Sequence, residues 1–290
     1  MSSQGSSVST SNKVWFITGA SSGLGRALVE EVLRRGDSVV AAARQPQVLA
    51  ELASSAPGRL RLVELDVTQP EKVRDAVATA IARFGYIDVL VNNAGFSILG
   101  AIEETSDQDL RATMELMFFA AVTTTREVLP HMRARGSGTI VQVSSVAGLS
   151  SAPGFGAYCA AKHALEGMSE SLAQEVKPLG IRVLVVEPGT FRTSLFGASF
   201  RHMPAMGAYE GTVGQLRTWV RQTDGKQGGD PVKAARVMAD VIALPSAELP
   251  LRLPLGGDAV EQIRAKLSLV AADVDRMETL ARSTAFEVKP

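Results

Sequence analysis

Residues 14–36 read VWFITGASSGLGRALVEEVLRRG. Val14 to Thr18 is a short run of β-branched and aromatic residues, apolar nearly throughout, as a strand buried on both faces should be. GRALVEEVLRRG, from Gly25, is amphipathic and reads as a helix. Between them stands TGASSGLG, with Gly19, Gly23 and Gly25 spaced G-x-x-x-G-x-G. Glycines there permit a tight turn and close backbone approach, while the start of the helix offers free N–H groups and partial positive charge to a pyrophosphate. A glycine-rich turn with no ligand is the alternative, since such a pattern alone is weak. Its position between a first strand and a first helix favours a dinucleotide.

Outward from this unit the alternation continues. SVVAAA, a charged stretch, LRLVEL, PEKVRDAVATAIARFG and IDVLVNN follow, then a long apolar helical run from about Asp107 to Arg135. GTIVQVSS, a helix from about Phe155 to Lys177, and IRVLVVEP complete the pattern. Strands alternating with helices at this pace predict an α/β fold: a doubly wound parallel sheet with right-handed crossovers and helices on both faces. No linker or second unit interrupts it, so residues 13–290 are read as a single domain. Residues 1–12, MSSQGSSVSTSN, are Ser/Gly-rich without a signal-peptide pattern and are read as a disordered lead-in.

Beyond Pro188 the pattern loosens. Residues 193–230 are rich in Gly, Met and polar residues and suit a lid over the carboxyl ends of the strands. Phe191, Phe196, Phe200, Met203 and Met206 would there face an apolar substrate or simply pack the segment. Residues 231–244 read as a helix capped by Asp230 with Pro231 in its first turn, LPLRLPL as a Pro-limited edge strand, and 256–290 as a C-terminal helical extension.

The apolar fraction of 46% supplies ample core, which excludes disorder as the default. Thirty basic and thirty acidic side chains cancel, leaving no positive field for nucleic acid or an anionic membrane, so a small-molecule partner is expected by elimination. No uncharged apolar stretch is long enough to span a bilayer. The lone cysteine, Cys159, cannot form an internal disulfide and fits the cytoplasm. Nothing supplies it with an activating base, so it is read as packing; His131, His163 and His202 form no ligand cluster, and no metal is expected.

In a dinucleotide fold, an acid at the end of the second strand would hold the ribose 2′-hydroxyl of NAD. Here that strand ends AAAR, with Ala43 where the acid would stand and Arg44 after it. A guanidinium there suits a 2′-phosphate, which favours NADP(H) over NAD(H); taken alone, it would be a surface arginine. AYCAAKHALEG places Tyr158 and Lys162 four apart on one helix face. A nearby ammonium favours phenolate, so Tyr158 could exchange a proton with an alcohol or carbonyl oxygen. Ser145, ending TIVQVSS, would reach the same oxygen. Singly, these are a surface pair and a turn serine; together they suggest a catalytic set.

TGASSGLG, LDVT (65–68), NNAG (92–95), the Ser145 strand, YCAAK, and PG followed by Thr193 occur in the order and spacing that resemble the short-chain dehydrogenase/reductase family, over roughly residues 13–195. The resemblance implies a Rossmann-type domain of about seven parallel strands. By it Tyr158 would be the acid/base, Lys162 would bind the nicotinamide ribose and lower the tyrosine pKa, and Ser145 would orient the substrate. Ser21, Ser22 and Leu24 would line the phosphates and ribose, Asp66 and Val67 the adenine, Asn92 the adenosine side of the pocket, and Thr193 the carboxamide. Assembly as a homodimer or homotetramer is implied as well.

One position departs. Counted back from the LP of EVLPHM, the family's usual asparagine is Met117, within MELMFF (114–119). That asparagine is generally assigned to a proton relay, shaping a helix kink whose backbone carbonyl holds a water next to the lysine. Methionine offers no comparable side-chain donor, but every residue has a backbone carbonyl. The expected function is an NADP-dependent carbonyl reductase or alcohol dehydrogenase with an altered relay. The alternatives are a non-catalytic NADP-binding regulator or scaffold, and a dehydratase or epimerase on the same fold. Helix geometry at residue 117 bears on the choice.

Overall fold

The computed structural model describes residues 12–197 and 200–286, so the expected lead-in lies, apart from Asn12, outside the described residues. β1 (Val14–Thr18) leads through the glycine turn into α1 (Gly23–Arg34), followed by β2 (Ser38–Ala43), a short α2 (Ala50–Ser55), β3 (Leu60–Glu64), α3 (Pro70–Phe84) and β4 (Val89–Asn92). Pro70 starts α3 where a missing N–H costs nothing, and Gly85 stops it at φ 85°, a left-handed conformation that suits glycine. Next come β5 (Ser97–Leu99), α4 (Asp107–Met114), α5 (Ala120–Arg135), β6 (Gly138–Val143), α6 (Gly156–Val176) and β7 (Ile181–Pro188).

Seven parallel strands form one sheet in the order β3-β2-β1-β4-β6-β7-β9, where β9 (Arg252–Leu255) is the edge strand carrying Pro254. Phe16 pairs with Val40 on one side and Leu90 on the other, so the strand order reverses at β1. Open α/β sheets bind ligands in the crevice at that reversal. The two-residue period of β1 sorts the core. Trp15 and Ile17 join Leu28 and Val32 of α1 and Met238 and Ile242 of α8 (Pro231–Ala243); Phe16 joins Val77 of α3, Val128 of α5 and Leu172 of α6 on the other face. Asp230 caps α8 as expected, accepting from the N–H groups of Val232 and Lys233.

Two departures from the sequence reading matter for the site. The run from Asp107 to Arg135 is not one regular helix: Glu115–Phe119 forms a π-helical turn between α4 and α5, in which the Ala120 N–H donates to the Glu115 carbonyl five residues back. The segment after Pro188 is more regular than its composition suggests. β8 (Phe200–His202) pairs with β5, and α7 (Gln215–Thr223) follows a second π turn at Glu210–Gly214. A buried ion pair anchors it: Arg217 Nη2 donates to Glu104 Oε2 at 2.7 Å and to the Met203 carbonyl at 3.2 Å. The last described helix is α9 (Gly257–Arg282).

Candidate active site

At the carboxyl ends of β1, β2, β4, β6 and β7 the chain encloses a cleft of ≈ 1170 Å³. The glycine turn forms its floor. Gly19 and Gly23 adopt positive φ, 63° and 55°, and a Cβ on Gly19 would stand 2.8 Å from the Ala94 Cα. Gly25 does not line the cleft; a Cβ there would meet the Gly19 carbonyl oxygen at 2.4 Å, so it lets α1 pack against its own entry turn. Ser22 begins α1 without a side-chain cap, leaving the helix start to a ligand's negative charge. Ser21, Ser22 and Leu24 line the same wall, and Thr193 stands over Gly23 from the far side.

Arg44 is exposed at the end of β2 and lines the cleft with Asp66 and Val67. The Asp66 carboxyl is held below its ordinary value, first by the Thr68 hydroxyl, which donates at 2.7 Å, and to a smaller degree by the Arg44 charge. A glycine floor and an uncapped helix start together fit the pyrophosphate of a dinucleotide.

The structure does not bring Asn92 to the cleft wall, contrary to the expectation for it. Its amide nitrogen is buried and donates to the Ala121 carbonyl, Thr125 Oγ1 and Gln142 Oε1, behind the strands. The next residue faces the cleft instead: Asn93 Nδ2 donates to the carbonyls of Thr18 and Gly19, fixing the turn from outside.

Ser145, Tyr158 and Lys162 converge between β6 and α6 and all line the cleft. Ser145 Oγ accepts from the Ala147 N–H at 3.1 Å. Lys162 Nζ donates to the Val143 carbonyl at 2.8 Å and lies 5.8 Å from the centre of the Tyr158 ring. The net direction at the tyrosine is opposite to the expected depression, because burial dominates. Burial pushes the Tyr158 phenol up to about 12, only partly offset by the Ser145 hydroxyl. Burial likewise brings Lys162 down to about 8, opposed by the Glu166 charge one helical turn on. Both groups are thus driven toward their neutral forms, because a closed apolar pocket penalises whichever form is charged.

Met117 sits in the π turn, 2% exposed, with Sδ and Cγ 3.7 Å from the position a Cβ would take on Gly95. Beside it a void of ≈ 10 Å³ is bounded by Asn92, Leu116, Met117, Thr124, Val143 and Lys162. That is at the lower limit of what holds a single water.

The outer cleft is aromatic. Phe155 meets Tyr158 edge-on at 6.3 Å and Phe200 at 6.2 Å; Phe200 meets Phe196 at 5.7 Å, and Phe196 meets Trp219 at 5.7 Å. Of the apolar residues singled out in 193–230 and just before it, Phe191 and Phe196 line the cleft, Met203 packs beneath Gly100, and Met206 is exposed. Leu216 and Trp219 of α7, Phe155 and Arg201 also line the cleft, residues the sequence does not single out individually. Cys159 is buried, and no cluster of metal-ligating side chains occurs among the described residues. No helix among them is long and apolar enough to cross a membrane.

The family model described as short chain dehydrogenase matches residues 13–204. Among curated proteins, oxidoreductase BOA17 of Botryotinia fuckeliana is 39% identical over 94% of this chain and 99% of its own length. Oxidoreductase calM of Penicillium decumbens is 36% identical over 96% of this chain and 94% of its own. A crystal structure of a short-chain dehydrogenase from Streptomyces avermitilis superposes with a TM-score of 0.90 at 45% identity, covering 95% of this chain and all of that one.

Proposed function

The chain belongs to the short-chain dehydrogenase/reductase family of oxidoreductases, and on that premise we propose that it moves a hydride between NADP(H) and the carbonyl or secondary alcohol of an apolar small molecule. The convergence of Ser145, Tyr158 and Lys162 beside the glycine turn carries this reading. Gly19, Ser21, Ser22, Gly23 and Leu24 hold the phosphates and the adjoining ribose, with Gly25 giving the turn room. Arg44 takes the 2′-phosphate, Asp66 and Val67 flank the adenine, and Thr193 meets the carboxamide. When bound, the nicotinamide supplies or accepts the hydride.

Tyr158, neutral at physiological pH as a phenol and held more firmly so by burial, is the proton donor to a carbonyl oxygen, and Ser145 shares that oxygen by hydrogen bond. Lys162 anchors the nucleotide ribose and, as its ammonium, stabilises Tyr158 when the proton leaves. The void bounded by Lys162 and the π turn has room for a relay water held by a backbone carbonyl. That favours catalysis over a non-catalytic role, which leaned on Met117 alone. The aromatic line from Tyr158 to Trp219 supports an apolar substrate.

In this reading residues 13–290 act as one domain, with 193–230 as its cover. The protein works in the cytoplasm as a homodimer or homotetramer; its lone cysteine suits a reducing compartment. The test is NADPH oxidation by purified protein across a panel of hydrophobic ketones and aldehydes, and NADP reduction with the matching alcohols. Turnover dependent on the carbonyl is expected; nucleotide binding without turnover on any member would refute the reading.

A further inference from the structure

α9 leaves the body of the protein after its first two turns. Ala259 is buried and Val260 and Ile263 are half-buried, but every residue from Arg264 to Arg282 is exposed. At 1.5 Å per residue, roughly 28 Å of helix projects from the fold. Isolated helices are marginal in water and are normally held by packing along an apolar face. This one carries such a face. Val260, Ile263, Leu267, Val270, Val274, Met277 and Ala281 follow one another in alternating steps of three and four. That is the inward seam of a coiled coil sustained over three heptads. Leu267 and Val274, 59% and 61% exposed, sit on that seam with none of the described residues covering them.

We propose that α9 pairs antiparallel with α9 of a second copy of this chain, forming a two-fold symmetric coiled coil. Charge placement selects both partner and direction. The positions flanking the seam are basic in the first half, Arg264 and Lys266, and acidic in the second, Asp273 and Glu278. A parallel pair in register would set Asp273 beside Glu278 of the other copy, a repulsion. The antiparallel pair sets Lys266 beside Asp273 of the other copy, twice by symmetry. In that register Leu267 meets Val270, Ile263 meets Val274 and Val260 meets Met277, so the projecting seam is covered as far as Met277. The charges of α9 nearly balance, with Asp258, Glu261, Asp273, Asp275 and Glu278 against Arg264, Lys266, Arg276 and Arg282. An anionic bilayer selects a basic helix instead.

The pairing also reaches the site. Asp258 Oδ2 at the helix root accepts from the Thr190 N–H at 2.7 Å, and Gln262 lines the cleft. The register brings the far end of the second copy's helix against this root. The inference sharpens the assembly reading above and is independent of the reaction: its failure would leave turnover untouched, and absent turnover would leave it standing.

The test is the molar mass of the full chain by sedimentation and light scattering, beside Leu267→Glu/Val274→Glu. Both positions are exposed, so the fold should persist, checked by circular dichroism. The double variant is expected to halve the mass of the native assembly. Lys266→Asp should weaken association roughly tenfold through two symmetry-related like-charge contacts, and Lys266→Asp/Asp273→Lys should restore it. A native chain that is monomeric at high micromolar concentration, an assembly unchanged by the glutamates, a failed charge-swap rescue, or a monomer that floats with vesicles of anionic phospholipid would each overturn the proposal.

Discussion

Glu104→Gln removes the negative charge that holds α7, and with it Leu216 and Trp219, to the body of the protein. The Glu104 carboxylate, with its side chain 0% exposed, accepts from Arg217 Nη2, the Ala101 N–H and the Met206 N–H, each at 2.7 Å. Burial would raise its pKa, but the Arg217 guanidinium and the two backbone donors outweigh burial and hold it at about 2, against an ordinary 4.5. A difference of that size corresponds to about 3 kcal/mol of stability. Because the folded value lies below the unfolded one, the contribution is whole above the ordinary carboxylate value and fades as pH falls toward the folded value. Glutamine keeps an oxygen for the N–H donors yet leaves Arg217, 9% exposed, without a counter-charge. Urea unfolding should therefore show Glu104→Gln weaker by about 3 kcal/mol at about pH 7, narrowing to roughly half that or less near pH 3. Substrate KM should rise, since two cleft-lining side chains ride on α7. A neutral-pH loss below about 1 kcal/mol would put the pair among solvent-screened surface bridges and refute the reasoning. So would a gap between the two proteins that does not narrow in acid.

Tyr158→Phe should lower kcat by roughly 10²- to 10⁴-fold while nucleotide titration by fluorescence stays close to native; turnover that survives the change would remove the tyrosine from the chemistry. Arg44→Ala should cut the preference for NADPH over NADH by about tenfold, read as the ratio of the two affinities, and an unchanged ratio would mean the guanidinium does not meet a 2′-phosphate. Lys162, brought by burial to about 8, is a cation below that pH and loses its charge as pH rises through it, so nucleotide affinity should fall between neutral and mildly alkaline solution; a flat profile would count against its role. At Met117, both Leu and Asn should leave turnover within about threefold, because the backbone of the π turn supplies the acceptor; a rise of about tenfold in the Asn variant would show that a side-chain amide had been missing.

The parts of the fold legible in sequence are those whose cause is local. β1, the glycine turn and α1 announce themselves because residues 14–36 combine a buried-strand composition, glycines where φ must be positive, and one apolar helix face. α7 was illegible for the opposite reason. QLRTWVRQT is short and polar, follows Gly211 and Gly214, and is pinned by Arg217 to a glutamate 113 residues earlier, which no local pattern can reveal. The exchange of Asn92 for Asn93 is a question of strand phase. Adjacent residues at a strand end point to opposite sides, and Thr125 and Gln142 capture the first amide, so the second reaches the cleft. The direction of the tyrosine shift is likewise tertiary. Spacing puts Lys162 on the same helix face as Tyr158, but burial is what pushes the phenol further up, and the fold is what sets the Val143 carbonyl where the lysine nitrogen donates to it.

The segment MELMFF joins these two kinds of information. Its methionines and phenylalanines read as plain helical core, and Met117 is indeed buried against Gly95. What the letters do not carry is the extra residue per turn: the Ala120 N–H passes over Leu116 and reaches Glu115. Single π turns shift the helical ladder locally and recur at functional sites. Here the turn and Lys162 both bound the small void, so the backbone lies where the proposed relay would need it even though no amide side chain does. A carbonyl acceptor is indifferent to the side chain that accompanies it, whereas the roles proposed for Ser145, Tyr158 and Lys162 depend on their side-chain groups. The position tolerant in chemistry is therefore constrained in shape: whatever stands at residue 117 must fill the space above Gly95 and keep the wide turn.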